Sequence, residues 1–99
     1  MLLILGTVRL PAANLEAARP VMLRMVEASR AEDGCLDYVY AEDIGDRGLI
    51  HVKERWRDRA ALARHFQSAH IAAWRAAWAG FGIGERALSL YEVGAPEAV

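Results

Sequence analysis

Four β-rich runs interleaved with three helical tracts, and no long apolar run anywhere, predict an α+β fold built on a four-stranded antiparallel sheet. Three observations carry the prediction. A glycine- and aspartate-bearing loop, Asp43 to Gly48, joins two adjacent strands as a hairpin. Asp58 and Ser68 then stand where two helices in succession would begin. The resulting order, βαββααβ, is the ferredoxin-like pattern, with helices covering one face of the sheet.

Leu2 to Leu10 is β-rich and unbroken until Pro11, and reads as a buried first strand. Asn14 is placed to cap the helix that follows. Between Leu15 and Glu32 the positions Leu15, Ala18, Met22, Met25, Val26 and Ser29 recur at helical spacing. Pro20 lacks a backbone donor, which predicts a kink or a late start there. Gly34 ends the helix. Cys35 to Glu42 is the second strand, with Leu36, Tyr38 and Tyr40 on one face. Leu49 to Trp56 is the third, with Ile50, Val52, Glu54 and Trp56 on one face. A short helix runs from Asp58 to Phe66 and a longer one from Ser68 to about Ala79. Gly80 to Gly84 breaks it, Arg86 to Val93 forms the last strand, and residues 94–99 read as a frayed tail.

Length and composition narrow the function classes. A chain of 99 residues suits one domain. Its hydrophobic share, 55%, exceeds what a small interior absorbs, so apolar surface should be buried between copies, most simply as a homodimer through the bare sheet face. The net charge of −1, with acids and bases mixed, argues against a nucleic-acid partner. No run reaches the ~18 apolar residues of a membrane span, and the first residues lack a signal peptide's basic start, so a cytoplasmic protein without membrane partners is expected. The single Cys35 allows no intrachain disulfide.

The chemistry-bearing residues concentrate between Glu54 and His70. His65 falls on a helix face with Leu62, Phe66 and Ala69. Pointing at a sheet, it would be held neutral and able to act as a base near pH 7. His70 opens a stripe continued by Trp74 and Trp78, aromatics that could pack the core, wall a pocket, or both. Glu54 shares a strand face with Trp56; an ion pair with an arginine is its favoured role, orienting His65 or holding a substrate hydroxyl its alternative. Tyr38 and Tyr40 offer phenols on the neighbouring strand. A metal site is not expected, since the histidines are five apart and no acidic residue joins them in sequence.

Two stretches resemble a known family. Glu54-x-Trp56-x-Asp58-x-x-Ala61-Leu62-x-x-His65-x-x-Ser68-x-His70 is similar to the signature of the antibiotic biosynthesis monooxygenase (ABM) domain, and Ser29 to Tyr38 (S-R-A-E-D-G-C-L-D-Y) resembles that family's entry into its second strand. The resemblance covers Leu3 to Glu92. It implies a dimeric α/β barrel with a pocket between sheet and helices in each subunit. It further implies oxygenation of quinols, anthrones or related phenols by dioxygen, with no cofactor, neither metal nor flavin. Carried onto this sequence, His65 would be the base or oxyanion partner and His70 a second polar group, with Tyr38, Glu54, Trp56, Phe66 and Trp74 contacting the substrate. Haem breakdown, found in other members, is disfavoured. The first strand has no asparagine, His65 stands where those members carry tryptophan, and the last helix offers Trp74 and Trp78 where a haem ligand is needed. An isomerase of a small hydroxy-ketone or lactone, or a non-catalytic binding or stress-related module, would use the same fold.

Overall fold

The computed structural model describes residues 1–99. Strand β1 spans Leu2–Arg9, a 3₁₀ turn Ala12–Asn14, helix α1 Leu15–Arg30, β2 Cys35–Glu42, β3 Leu49–Trp56, α2 Arg59–Phe66, α3 Ala69–Phe81 and β4 Gly84–Glu92. The sheet order is β2-β3-β1-β4 with every neighbour antiparallel, and the helices pack on one face. This is the ferredoxin-like βαββααβ fold.

The core forms where the two periodicities meet. On the helix side α1 buries Leu15, Ala18, Met22, Met25, Val26 and Ser29, the six positions its spacing marks. Opposite them lie Leu2, Ile4 and Val8 of β1 and Ile50, Val52 and Trp56 of β3. β1 is interior to the sheet but buried on one face only: Leu5, on the side away from the helices, is exposed. No helix is long and apolar enough to cross a membrane.

Local chemistry sets the later helix ends. The Asp58 carboxylate accepts the Ala61 N–H at 2.9 Å, and the Ser68 hydroxyl accepts that of Ile71 at 3.4 Å. Gly82 closes α3 in the left-handed region (φ 68°), so Gly80 remains inside the helix and the break comes two residues later than its sequence suggests.

Four expectations are corrected. Asn14 does not cap α1 with its side chain; its amide donates instead to the Phe81 carbonyl at 2.9 Å, tying the start of α1 to the end of α3. Helix α1 runs through Pro20 from Leu15 with no late start: Pro20 is its sixth residue and forfeits a single intrahelical bond, the one its N–H would have made to the Glu16 carbonyl, while Ala18, Met22, Met25 and Val26 bury the helix on the core. The same helix stops at Arg30, which places Glu32 in the following turn. The register of β2 against β3 slips between Cys35 and Asp37, and one extra residue reverses the alternation there: Leu36 turns outward while Cys35 packs on the core.

Candidate active site

His65 is placed by three constraints. The Asp58 cap starts α2 directly after β3, Ala61 and Leu62 seat the helix on the core, and one turn later His65 enters it at 1% exposure. Its ring lies 4.7 Å from that of Trp56 and 5.4 Å from that of Tyr38. Burial drives its pKa below the ordinary histidine value, outweighing the upward pull of Glu32, so the imidazole is neutral at pH 7. The face predicted to continue from His65 to Ala69 does not exist as one helix face, since α2 ends at Phe66 and Ala69 starts α3. Phe66 sits half out of the protein, at the rim of the site.

Glu32 is the residue that sequence reasoning missed. The turn after α1 is pinned by the Arg57 N–H donating to the Gly34 carbonyl at 2.8 Å, and by Arg57 gripping Asp33 with two bonds of 3.2 Å. That turn carries Glu32 between the histidines. His65 donates its Nδ1–H to Glu32 Oε1 at 2.9 Å, and His70 Nε2 meets the same oxygen. With Nδ1 bonded to a carboxylate, the neutral His65 ring keeps its Nε2 lone pair free. The expectation that no acid joins the histidines is therefore overturned: Glu32 does, with ligand-type atoms of all three residues within 4.8 Å, a set that could also hold a divalent cation.

Below the helices lies an open cavity of about 350 Å³. Tyr38, Tyr40, Glu54, His65, Phe66 and Trp74 all border it, as do Trp78, Arg75 and Arg86. Glu54 does not form the favoured arginine ion pair. It is 5% exposed, and its Oε1 accepts the indole N–H of Trp56 at 2.9 Å, while burial raises its pKa towards the neutral acid. Nor does it orient His65, a task that falls to Glu32. Trp56 is 0% exposed and does not border the cavity; its ring lies beneath that of His65 and its indole N–H donates to Glu54. His70 is likewise outside the cavity lining, on the far side of Glu32 and partly open to solvent.

The aromatic stripe of α3 does both jobs that helical spacing allows. Trp74 is buried, donates its N–H to the Tyr40 hydroxyl at 3.3 Å and also walls the cavity. Trp78 stacks edge-on against it, 6.5 Å away. Burial raises the pKa of Tyr38 and of Tyr40, so both remain protonated donors.

This βαββααβ frame has counterparts elsewhere. Residues 1–77 match the family model described as "Antibiotic biosynthesis monooxygenase". The chain belongs to the antibiotic biosynthesis monooxygenase family. Among its relatives, YcnE of Bacillus subtilis is 36% identical over 47 residues, covering 48% of this chain and 50% of YcnE. Rv0793 of Mycobacterium tuberculosis is 40% identical over 60 residues, 61% of this chain and 58% of Rv0793. Both names provisionally specify a monooxygenase. The matched stretch thus spans about half the length of these relatives. The solved structure of Rv0793 superimposes with a TM-score of 0.85 at 25% identity, over 98% of each chain. A crystal structure from Deinococcus radiodurans, provisionally described as an antibiotic biosynthesis monooxygenase, has the same fold, with a TM-score of 0.91 at 24% identity over 100% of this chain and 98% of that one.

Proposed function

We propose that this ABM-family protein is a monooxygenase that oxidises a hydroxy-aromatic, such as a quinol or an anthrone enol, with dioxygen and without a cofactor. The supporting observation is the neutral His65, held by Glu32 through Nδ1 and bordering an aromatic cavity. His65 Nε2 takes the proton of a substrate hydroxyl. The electron-rich anion passes one electron to dioxygen, giving a substrate radical and superoxide. Their collapse forms a carbon–oxygen bond, and the imidazolium returns its proton to the distal oxygen. The hydroperoxide then loses water across the same carbon, leaving a carbonyl. One oxygen atom enters the product and the other leaves as water; the substrate supplies all the electrons.

The protonated Tyr38 and Tyr40 are donors to the oxyanion, and Trp74 restricts the space in which the radical pair can separate. His70, at the solvent side of Glu32, is placed to exchange protons with water. The test is oxygen uptake with a panel of naphtho- and benzohydroquinols. Wild type should exceed autoxidation and His65→Ala should not. Turnover of a hydroxy-ketone without oxygen consumption would replace this reading with an isomerase. The reading includes a homodimer through the face of the sheet opposite the helices, where Leu5 and Tyr91 are exposed; light scattering at the 10.9 kDa monomer mass would refute it.

A further inference from the structure

The charge pairing across the molecule is uneven in one place. Most of the arginines, and Lys53, form ion pairs with an aspartate or glutamate. The exceptions are Arg24, Arg30, Arg75 and Arg86, and Arg30 is spent on the Tyr38 carbonyl at 2.8 Å. Of the remaining three, Arg75 and Arg86 both border the cavity. Each lies over an aromatic ring rather than an acid, Arg86 at 4.3 Å from the Trp78 centroid and Arg75 at 5.6 Å from that of Phe66. Stacking orients a guanidinium but leaves its in-plane N–H donors unused.

The rest of the cavity sharpens the imbalance. Its one acidic side chain is Glu54, buried, its pKa raised by that burial against the opposing pull of the Trp56 N–H and of Arg86, and with Oε1 already taken by Trp56. Beside Arg86, the Trp78 indole N–H is buried and has no acceptor. Arg75 and Arg86 are exposed to solvent and form no ion pair, and beside them lies a buried donor without an acceptor; an anionic ligand group could take water's place on the two cations and accept from the indole.

The two ends of the cavity are also separated. Leu90 pairs with Ile4, which pairs on its other side with Glu54, next to Tyr38 and the His65 ring. The Arg86 backbone is four residues back along β4, about 13 Å at the rise of a strand, and its guanidinium lies over Trp78.

We infer that the cavity selects a hydroxy-aromatic bearing a permanent anionic group, a carboxylate, held by Arg86 with Arg75 and the Trp78 N–H while the hydroxyl reaches His65. This rests on the proposed function for the role of the hydroxyl, but the anion preference does not need turnover. Binding is therefore measured by calorimetry with 2-naphthoate and its neutral near-isostere 2-naphthamide, neither of which has an oxidisable hydroxyl. The expected result is at least tenfold tighter binding of the acid to wild type. The preference should shrink to within about twofold in Arg86→Met, with the amide's affinity retained, and be partly kept in Arg86→Lys. Arg75→Met should weaken it less. Circular dichroism of each variant confirms the fold. Equal affinities for acid and amide, no binding of either at millimolar concentration, or a preference that survives in Arg86→Met would each overturn the inference. Oxygen uptake with 1,4-dihydroxynaphthalene and its 6-carboxylate, whose anionic group stands on the ring away from the hydroxyls, separates the two claims. Acid preference without uptake leaves the inference standing and sinks the oxygenase reading. Uptake at equal kcat/KM for both substrates does the opposite.

Discussion

Replacing Glu32 by glutamine tests the core of the proposed site, because it keeps the side chain's shape and removes its charge. Glu32 Oε1 accepts from His65 Nδ1 at 2.9 Å and also contacts His70 Nε2. Hydrogen bonds to a charged group contribute about 1.5–3 kcal/mol against about 0.5–1.5 for neutral pairs. Weakening both by about 1 kcal/mol gives a loss of about 2 kcal/mol, or a fall in Tm of about 8–16 °C at this chain length. Solvent screening removes little of this, since the carboxylate and the His65 ring are 16% and 1% exposed. The amide can also turn its NH₂ towards Nδ1, which reverses the tautomer and protonates Nε2. Oxygen uptake by Glu32→Gln should therefore drop about 10²–10⁴-fold, the range for losing a positioned base. Glu32 raises the His65 pKa, so its removal should move the acid limb of the kcat/KM profile to lower pH. Scanning calorimetry and an oxygen electrode read both effects. A kcat within threefold of wild type in a folded variant, or an acid limb that moves upward, would refute the assignment of Glu32 as the residue that orients His65.

Other substitutions probe the supports. Trp56→Phe leaves the buried Glu54 without its 2.9 Å donor and should cost about 1–3 kcal/mol in urea denaturation; an unchanged midpoint would mean water replaces the indole N–H. Gly34→Ala puts a Cβ 2.5 Å from that of Ala61 at a left-handed φ of 85°, straining the turn that delivers Glu32. A loss of about 2–4 kcal/mol is expected, with activity falling even where the variant is fully folded, and wild-type activity would show that the turn does not set the Glu32–His65 contact. Folding holds His65 neutral while the unfolded chain protonates it near pH 6.5, so its contribution to stability is present above that pH and lost as pH falls from there towards the lower folded value. Between pH 8 and 5 the urea midpoint of wild type should thus drop more than that of His65→Gln. Glu54, raised by burial, titrates in both proteins and cancels in the comparison; parallel profiles would contradict a depressed His65.

What was legible in the sequence was local or periodic. The caps at Asp58 and Ser68 act across three residues, so residue type and spacing suffice to find them. The α1 stripe and the alternation from Ile50 to Trp56 record which face meets the core, and both stand as read. Asn14 misled because a helix cap and a tertiary hydrogen bond call for the same residue type. What decides between them is the end of α3, which brings the Phe81 carbonyl within 2.9 Å of the Asn14 amide.

The residues that only the tertiary structure could supply are distant in sequence or displaced by a break in periodicity. Glu32 lies 33 and 38 residues from the histidines it joins; it stands within the Ser29–Tyr38 stretch that resembles the family, but by residue type and spacing it reads as a solvated turn residue. The slip at Leu36 is invisible to a period-two reading, which assumes that no residue is inserted. Trp56 and Trp78 look alike as sequence, yet one is sealed under His65 and the other borders the cavity beside Arg86. The sequence by itself determined the order of elements, their buried faces and the two histidines, because backbone propensity, capping and amphipathic period are short-range. The tertiary structure decided which carboxylate holds His65 and which cations stay unpaired, because those depend on chain segments that meet only once the helices settle on the sheet.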